Sequence, residues 1–148
     1  MNIIVKSVCT ILVAGLVIQL LPYGRNHSNQ PVVREPAWDS PATRDLAKKA
    51  CFDCHSHETD WPWYSKIAPF SWLVYWDVVK GRKHLNFSEW KGGAGTHEQP
   101  DKITKDVIEG EMPPLQYTIA HPEAKLDAHS KKQLIEGLAA TAAASARK

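Results

Sequence analysis

The sequence has little net charge, few cysteines and almost no methionine. Its 148 residues carry 18 Lys and Arg against 16 Asp and Glu, a formal charge of +2. Such a nearly neutral chain offers no surface to a polyanion, which excludes nucleic acid as a partner. Three cysteines cannot build a disulfide framework, and a chain of this length needs none to hold a core. There are no alternating apolar runs of strand type and no internal repeats, which leaves an all-α domain. What is present is 43% hydrophobic residues with six tryptophans, enough for one globular domain and an attachment.

The attachment is at the start. From Ile3 to Leu21 the chain is apolar, interrupted chiefly by Lys6 and Gln19. As a helix this run would measure roughly 28 Å, close to the thickness of a bilayer core. Its end, Ile18-Gln19-Leu20-Leu21-Pro22, lacks the small residues of a signal-peptidase site. Residues 1–22 are therefore expected to be an uncleaved transmembrane anchor, with a cleaved signal peptide as the alternative. Lys6 can carry its charge to the interface on its long stem, and Cys9 reads as an apolar anchor residue. Residues 23–39, rich in Pro, Asn and Ser, read as a flexible tether.

The domain proper spans 40–148. Ser40 followed by Pro41 is a helix start, and Leu46, Ala47, Ala50 and Cys51 share one face, so a first helix should run to about His55. Residues 56–68 read as an aromatic loop. A second helix is expected over 69–84 with Trp72, Leu73, Trp76 and Val79 inward. Lys80, Arg82, Lys83 and His84 crowd its last turn, where cations meet the negative end of a helix. The Gly92-Gly93-Ala94-Gly95 stretch lacks the Lys-Ser/Thr ending of a phosphate loop and reads as flexible. A third helix over 101–109 should turn Ile103, Val107 and Ile108 inward and stop at Gly110. Asp127 can cap a last helix from Ala128 to about Ala143, fraying in the alanine-rich tail beyond Leu138.

Residues 51–55 read Cys51-Phe52-Asp53-Cys54-His55, a C-x-x-C-H pentapeptide of the kind that attaches c-type haem. Two thiols on one helical turn can add to the two vinyl groups along one haem edge, and the adjacent imidazole then falls under the iron. A redox dithiol would need a β-α-β context, and a four-cysteine zinc site a second cysteine pair, both missing here. A zinc site of two cysteines and two histidines would have to borrow from His57, His84, His97, His121 or His129. One covalent haem c is the expected cofactor, its iron (the metal) held by His55.

Iron with one histidine wants a sixth ligand or an open position. Met112 stands between a helix end and Pro113-Pro114, and an extended, proline-braced backbone can present a thioether rigidly. His55 and Met112 are the expected axial pair, with His121 as the alternative to Met112. Two propionates need donors, and Trp61, Trp63, Tyr64 and Trp90 offer N–H and O–H groups on apolar bodies. Tyr117 could hydrogen-bond near the thioether loop.

Cys51-Phe52-Asp53-Cys54-His55-Ser56, Trp61-Pro62-Trp63-Tyr64-Ser65, Ile67-Ala68-Pro69, Leu85-Asn86-Phe87-Ser88-Glu89-Trp90, Gly110-Glu111-Met112-Pro113-Pro114 and His121-Pro122-Glu123-Ala124-Lys125-Leu126 together resemble the small bacterial haem-binding domain proteins, which are c-type cytochrome-like. The resemblance runs from the anchor to Leu126. It implies a cytochrome c-like all-α fold at the bacterial inner membrane, single-pass, with the haem domain in the periplasm. It also implies that Pro69 supplies the backbone carbonyl that orients the proximal imidazole.

These residues point to a membrane-tethered electron carrier whose partners are redox proteins. If both axial positions are filled, only an electron can move. Two rivals are a peroxidase-like enzyme, which would need a distal acid or base such as Glu109, Glu111 or His121, and a haem-based sensor.

Overall fold

The computed structural model describes residues 2–146. The last two residues of the 40–148 domain, Arg147 and Lys148, lie outside them. Seven α-helices follow in order: α1 Ile3–Ile18, α2 Pro41–Ala50, α3 Phe52–His55, α4 Phe70–His84, α5 Pro100–Glu109, α6 Leu115–Ala120 and α7 Ala128–Ser145. Among the described residues there is no strand, only an isolated bridge between Arg34 and Glu89. The domain is all-α.

The helix starts are written in the sequence. Ser40 Oγ accepts from the Thr43 amide at 3.2 Å, with Pro41 at the first helical position, and Asp127 Oδ1 accepts from the Ser130 amide at 2.7 Å. Gly110 ends α5 at φ 80°, a left-handed turn open to glycine. The core forms where α5 packs on α7 and α2 on α7. Ala47, Phe52, Phe87, Trp90, Ile103, Val107, Leu134 and Leu138 meet there.

The helix within residues 1–22 is shorter than the transmembrane expectation needs. The helix α1 ends at Ile18 after 16 residues, about 24 Å at 1.5 Å per residue. No helix among the described residues is long and apolar enough to cross a membrane. The reason lies in Gln19, whose side chain both donates to the Ala68 carbonyl (2.9 Å) and accepts from the Ala68 amide (3.0 Å). Arg25 donates to the Gln19 carbonyl at 2.6 Å. The polar end of the run is thus turned onto the domain, while Ile4, Ile11, Leu12 and Leu16 stay exposed.

Residues 23–39, read as a tether, contain no helix and lie along the domain. The Val33 and Arg34 amides donate to the Ser88 carbonyl, at 2.9 and 3.0 Å. Arg44 forks onto Glu35 with Nε at 2.8 Å and Nη2 at 2.7 Å. Trp38 packs on Phe52 and Phe87.

Four further differences have clear causes. The first helix breaks at Cys51, where φ is −132°, so α2 and α3 are separate. The alanine-rich tail does not fray: α7 runs to Ser145, with Thr141, Ala142 and Ser145 buried, because small residues let it seat closely. The glycine loop is closed rather than loose, since buried Glu98 accepts from the amides of Lys91 and Gly93, each at 2.8 Å. Ile108 is 57% exposed, and on α4 Leu73 and Trp76 are 61% and 54% exposed. That α4 stripe borders cavities, not protein core.

Candidate functional site

The helix α3 is a single turn pinned by Phe52, which is fully buried against Phe87. The residues after it leave little slack. Ser56 Oγ donates to the Phe52 carbonyl at 2.8 Å, Thr59 Oγ1 donates to the Asp53 carbonyl at 2.7 Å, and the His57 amide donates to Ser88 Oγ at 2.8 Å. Arg82 crosses from α4 and donates to the Ser56 carbonyl at 2.7 Å and to Thr59 Oγ1 at 2.9 Å. Its place among the last-turn cations of α4 therefore holds the loop that follows the pentapeptide.

The helix α4 stops at His84, and the next residue, Leu85, in extended backbone (φ −145°, ψ 132°), presents its carbonyl to His55. The His55 Nδ1–H donates to that carbonyl at 3.1 Å, and the Phe87 amide donates to the His55 carbonyl at 2.7 Å. With Nδ1 as donor, the lone pair sits on Nε2, the tautomer a metal ligand needs. Burial is the chief effect on the ring and lowers its pKa, so it is held neutral. Leu85 thus takes the role expected of Pro69. The Pro69 carbonyl accepts from the Trp72 amide at 3.0 Å and opens α4 instead.

Cys51, Cys54, His55 and Met112 all line one cavity of about 340 Å3, together with Trp76, Asp77, Lys80, Gly81, His84, Asp106 and Tyr117. The wall is largely carbon. Met112 is fixed there because its amide and that of Glu111 both donate to the Asp106 carbonyl, at 3.0 and 2.9 Å. The Cys51 thiol is pushed up to about 12 by burial and then by Cys54, and the Cys54 thiol to about 12 by burial and then by Asp77. Asp77 is itself raised by burial.

Other expected residues separate into those near this cavity and those away from it. Tyr64 and Trp63 line an adjoining cavity of about 440 Å3, which shares Cys54, Asp77 and Tyr117 with the first. Trp61 stacks on His27 and donates to Asn29, and Trp90 is buried with its Nε1–H on Ser145 Oγ at 3.1 Å. Neither lines either cavity, so Trp61 and Trp90 hold the fold. His121 accepts from Tyr64 Oη at 2.9 Å and its Nδ1 meets Glu123 at 3.2 Å, away from the cavity that holds His55. Tyr117 Oη donates to Asp53 Oδ2 at 2.7 Å, not to the thioether loop. Glu109 and Glu111 are exposed.

A zinc site has no support in this geometry. Among the described residues, no set of three ligating atoms that includes Cys51, Cys54 or His55 gathers at metal-binding distance. His57 spends one ring nitrogen on the Pro31 carbonyl and the other on Asn86. The sequence did not single out Asp77 and Asp106 of the lining, nor the Leu85 carbonyl that holds His55 Nδ1. A lone aspartate in the apolar stripe of α4 was a usable signal for the first, whereas a carbonyl leaves no trace in residue identity.

Two thiols one turn apart, a neutral imidazole with a free Nε2 and a thioether on one carbon-walled cavity fit an iron porphyrin, and they define a helical haem-binding domain. The chain matches the family model described as haem-binding domain over residues 13–140. It belongs to that family and binds haem. No curated protein and no solved structure matches it.

Proposed function

We propose that this is an electron-transfer protein carrying one covalently attached haem c, with thioethers to Cys51 and Cys54 and axial ligation by His55 and Met112. The observation that carries the reading is the convergence of these four side chains on one cavity, with His55 Nδ1 committed to Leu85. The bound haem supplies reversible one-electron chemistry, its potential raised by methionine ligation. The chain's own part is to orient the imidazole, keep it neutral, hold the thioether on the rigid end of α5 and wall out water. Trp76, Val79 and Lys80 lie exposed on α4, with Trp76 and Lys80 on the cavity rim, where a redox partner protein can approach.

Haem of this type is attached outside the cytoplasm, so the periplasmic face of the inner membrane is the proposed location. The exposed apolar residues of α1 hold the domain at the membrane surface. The carrier reading is favoured over a peroxidase because Glu109 and Glu111 stand outside the cavity and both His121 nitrogens are engaged.

The test is a spectrum and a gel. Haem stain should survive denaturing electrophoresis and vanish in the Cys51→Ala/Cys54→Ala variant. The ferric protein should show the weak sulfur-to-iron absorption at the red end of the spectrum, the ferrous protein should resist carbon monoxide, and Met112→Ala should reverse both. Stain lost from the wild type on denaturation would overturn covalent attachment. Rapid carbon monoxide binding by the wild type, with strong peroxide turnover, would overturn the carrier.

A further inference from the structure

A second cavity adjoins the one that holds His55 and Met112. Its wall is carbon-rich, with Phe70, Leu73, Val74 and Trp63 on one side. It shares Cys54 and Asp77 with the cavity that holds His55. On the other side it shares Asp53, Asp60 and His121 with a third, polar cavity of about 420 Å3, lined also by Lys48, Lys49 and Glu123. One apolar chamber therefore opens towards a redox group at Cys54 and towards a water-facing polar cleft at His121.

The link to the cleft is a continuous hydrogen-bonded chain. Tyr64 Oη donates to His121 Nε2 at 2.9 Å, and His121 Nδ1–H donates to Glu123 Oε1 at 3.2 Å. Only this tautomer satisfies both bonds, because the Glu123 carboxylate can only accept. Glu123 is exposed, and its pKa is lowered, first by its own backbone amide, so it stays charged. Tyr117 stacks on His121 with ring centroids 4.5 Å apart, and holds it in place by its bond to Asp53.

We propose that this chamber binds a hydroquinone-class electron donor, an apolar aromatic ring bearing ionisable hydroxyls. The proposal rests on the electron-transfer reading above and names the reductant for it. A ring of this class needs an apolar slot, a nearby electron acceptor and a separate route for protons. The chamber supplies the slot, Cys54 adjoins the acceptor, and Tyr64–His121–Glu123 is the route. The balance closes in two equal steps. In each the ring would lose one electron to the haem that Cys51, Cys54, His55 and Met112 would hold, and one hydroxyl proton to Tyr64, whose own proton passes to His121 Nε2 as His121 Nδ1–H passes to Glu123; exposed Glu123 then releases that proton to water and the imidazole returns to its starting tautomer before the second step. Between the two steps the first electron would pass on to the redox partner protein, and after the second the ring would leave as quinone. A lipid-soluble donor also suits the position, since Phe70 and Leu73 are exposed at the rim and the end of α1 docks two residues before Phe70, on Ala68.

The test uses the haem-loaded full chain, with duroquinone as the binding probe in calorimetry and duroquinol as the reductant in stopped flow. Duroquinone should bind, and Leu73→Glu, which adds charge at a site exposed enough to spare the fold, should weaken binding by at least about tenfold. Tyr64→Phe and His121→Gln should slow haem reduction by duroquinol at least about tenfold at saturating duroquinol, beyond any loss in duroquinone affinity. Reduction by hexaammineruthenium(II), which releases no proton, should be unchanged in all three variants. No duroquinone binding, binding indifferent to Leu73→Glu, or duroquinol rates indifferent to Tyr64→Phe would overturn the proposal and leave the carrier standing. A haem that the ruthenium reagent cannot reduce reversibly would overturn the carrier, and the donor site with it.

Discussion

Gly81 of α4 lies against the backbone of Cys54 so closely that a Cβ there would stand 2.9 Å from the Cys54 carbonyl carbon and 3.0 Å from its Cβ, closer still to the carbonyl oxygen. This contact decides how near α4 comes to the pentapeptide, and one turn later the same helix delivers the Leu85 carbonyl to His55. Alanine is the better helix former by up to about 1 kcal/mol, but overpacking against backbone costs about 1–3 kcal/mol. Gly81→Ala should therefore lower the thermal midpoint and shift the haem absorption, as measured by melting followed at the haem band. A variant as stable as the wild type would show that α4 can retreat without cost.

The cysteine thiols give a chemical readout. With both pushed up to about 12, the haem-free folded chain should alkylate at Cys51 and Cys54 at pH 8 on the order of a thousandfold more slowly than the unfolded chain. Exposed Cys9 serves as the internal reference. Mass spectrometry of iodoacetamide-treated protein, with and without denaturant, checks this.

Glu35 ties the segment before α2 to the domain, and its carboxyl is held below the usual range, chiefly by the hydrogen bonds from Arg44. A depressed carboxylate stabilises the fold above its unfolded pKa, and that contribution is lost as pH falls through the folded value. Glu35→Gln should thus be less stable than the wild type at pH 7, with the gap closing below about pH 4. Urea unfolding at both pH values measures the gap.

Thr141 tests the tail. It accepts from the Asp39 amide at 3.0 Å in a fully buried position. Thr141→Val keeps the shape and removes that part-buried hydrogen bond, a loss of about 0.5–1.5 kcal/mol measured by thermal melting. An unchanged midpoint would mean that the end of α7 is seated only loosely.

Local chemistry made the helix starts at Ser40 and Asp127 and the stop at Gly110 legible, since each is a side-chain or glycine signal confined to one turn. The candidate haem residues stand out for the same reason: two thiols and an imidazole in five positions have few uses. What the sequence hid is tertiary. The apolar stripe of α4 reads as core because hydrophobicity does not say whether protein or cofactor covers it, and Leu73 and Trp76 line cavities. Pro69 resembled the orienting carbonyl by its place after the pentapeptide, whereas the exit angle of α4 gives that task to Leu85. Trp61 and Trp90 look like cofactor donors in the sequence because an indole N–H does not announce its acceptor; in the fold the acceptors are Asn29 and Ser145. The alanine-rich tail read as weak helix, yet in packing its small side chains are what allow close approach.

The bonding of residues 31–38 to the loop at Ser88 changes what the protein can reach. A free coil of 17 residues would let the domain roam some 20–25 Å from α1, turning its cavity mouth through many angles. Held as it is, with Val33 and Arg34 on Ser88 and Gln19 on Ala68, the domain has almost no leash. On the function proposed above, the surface that holds α1 and the edge of the haem cavity would keep one fixed bearing to each other, so partners would have to be delivered to the protein, and those that share its surface would have the advantage.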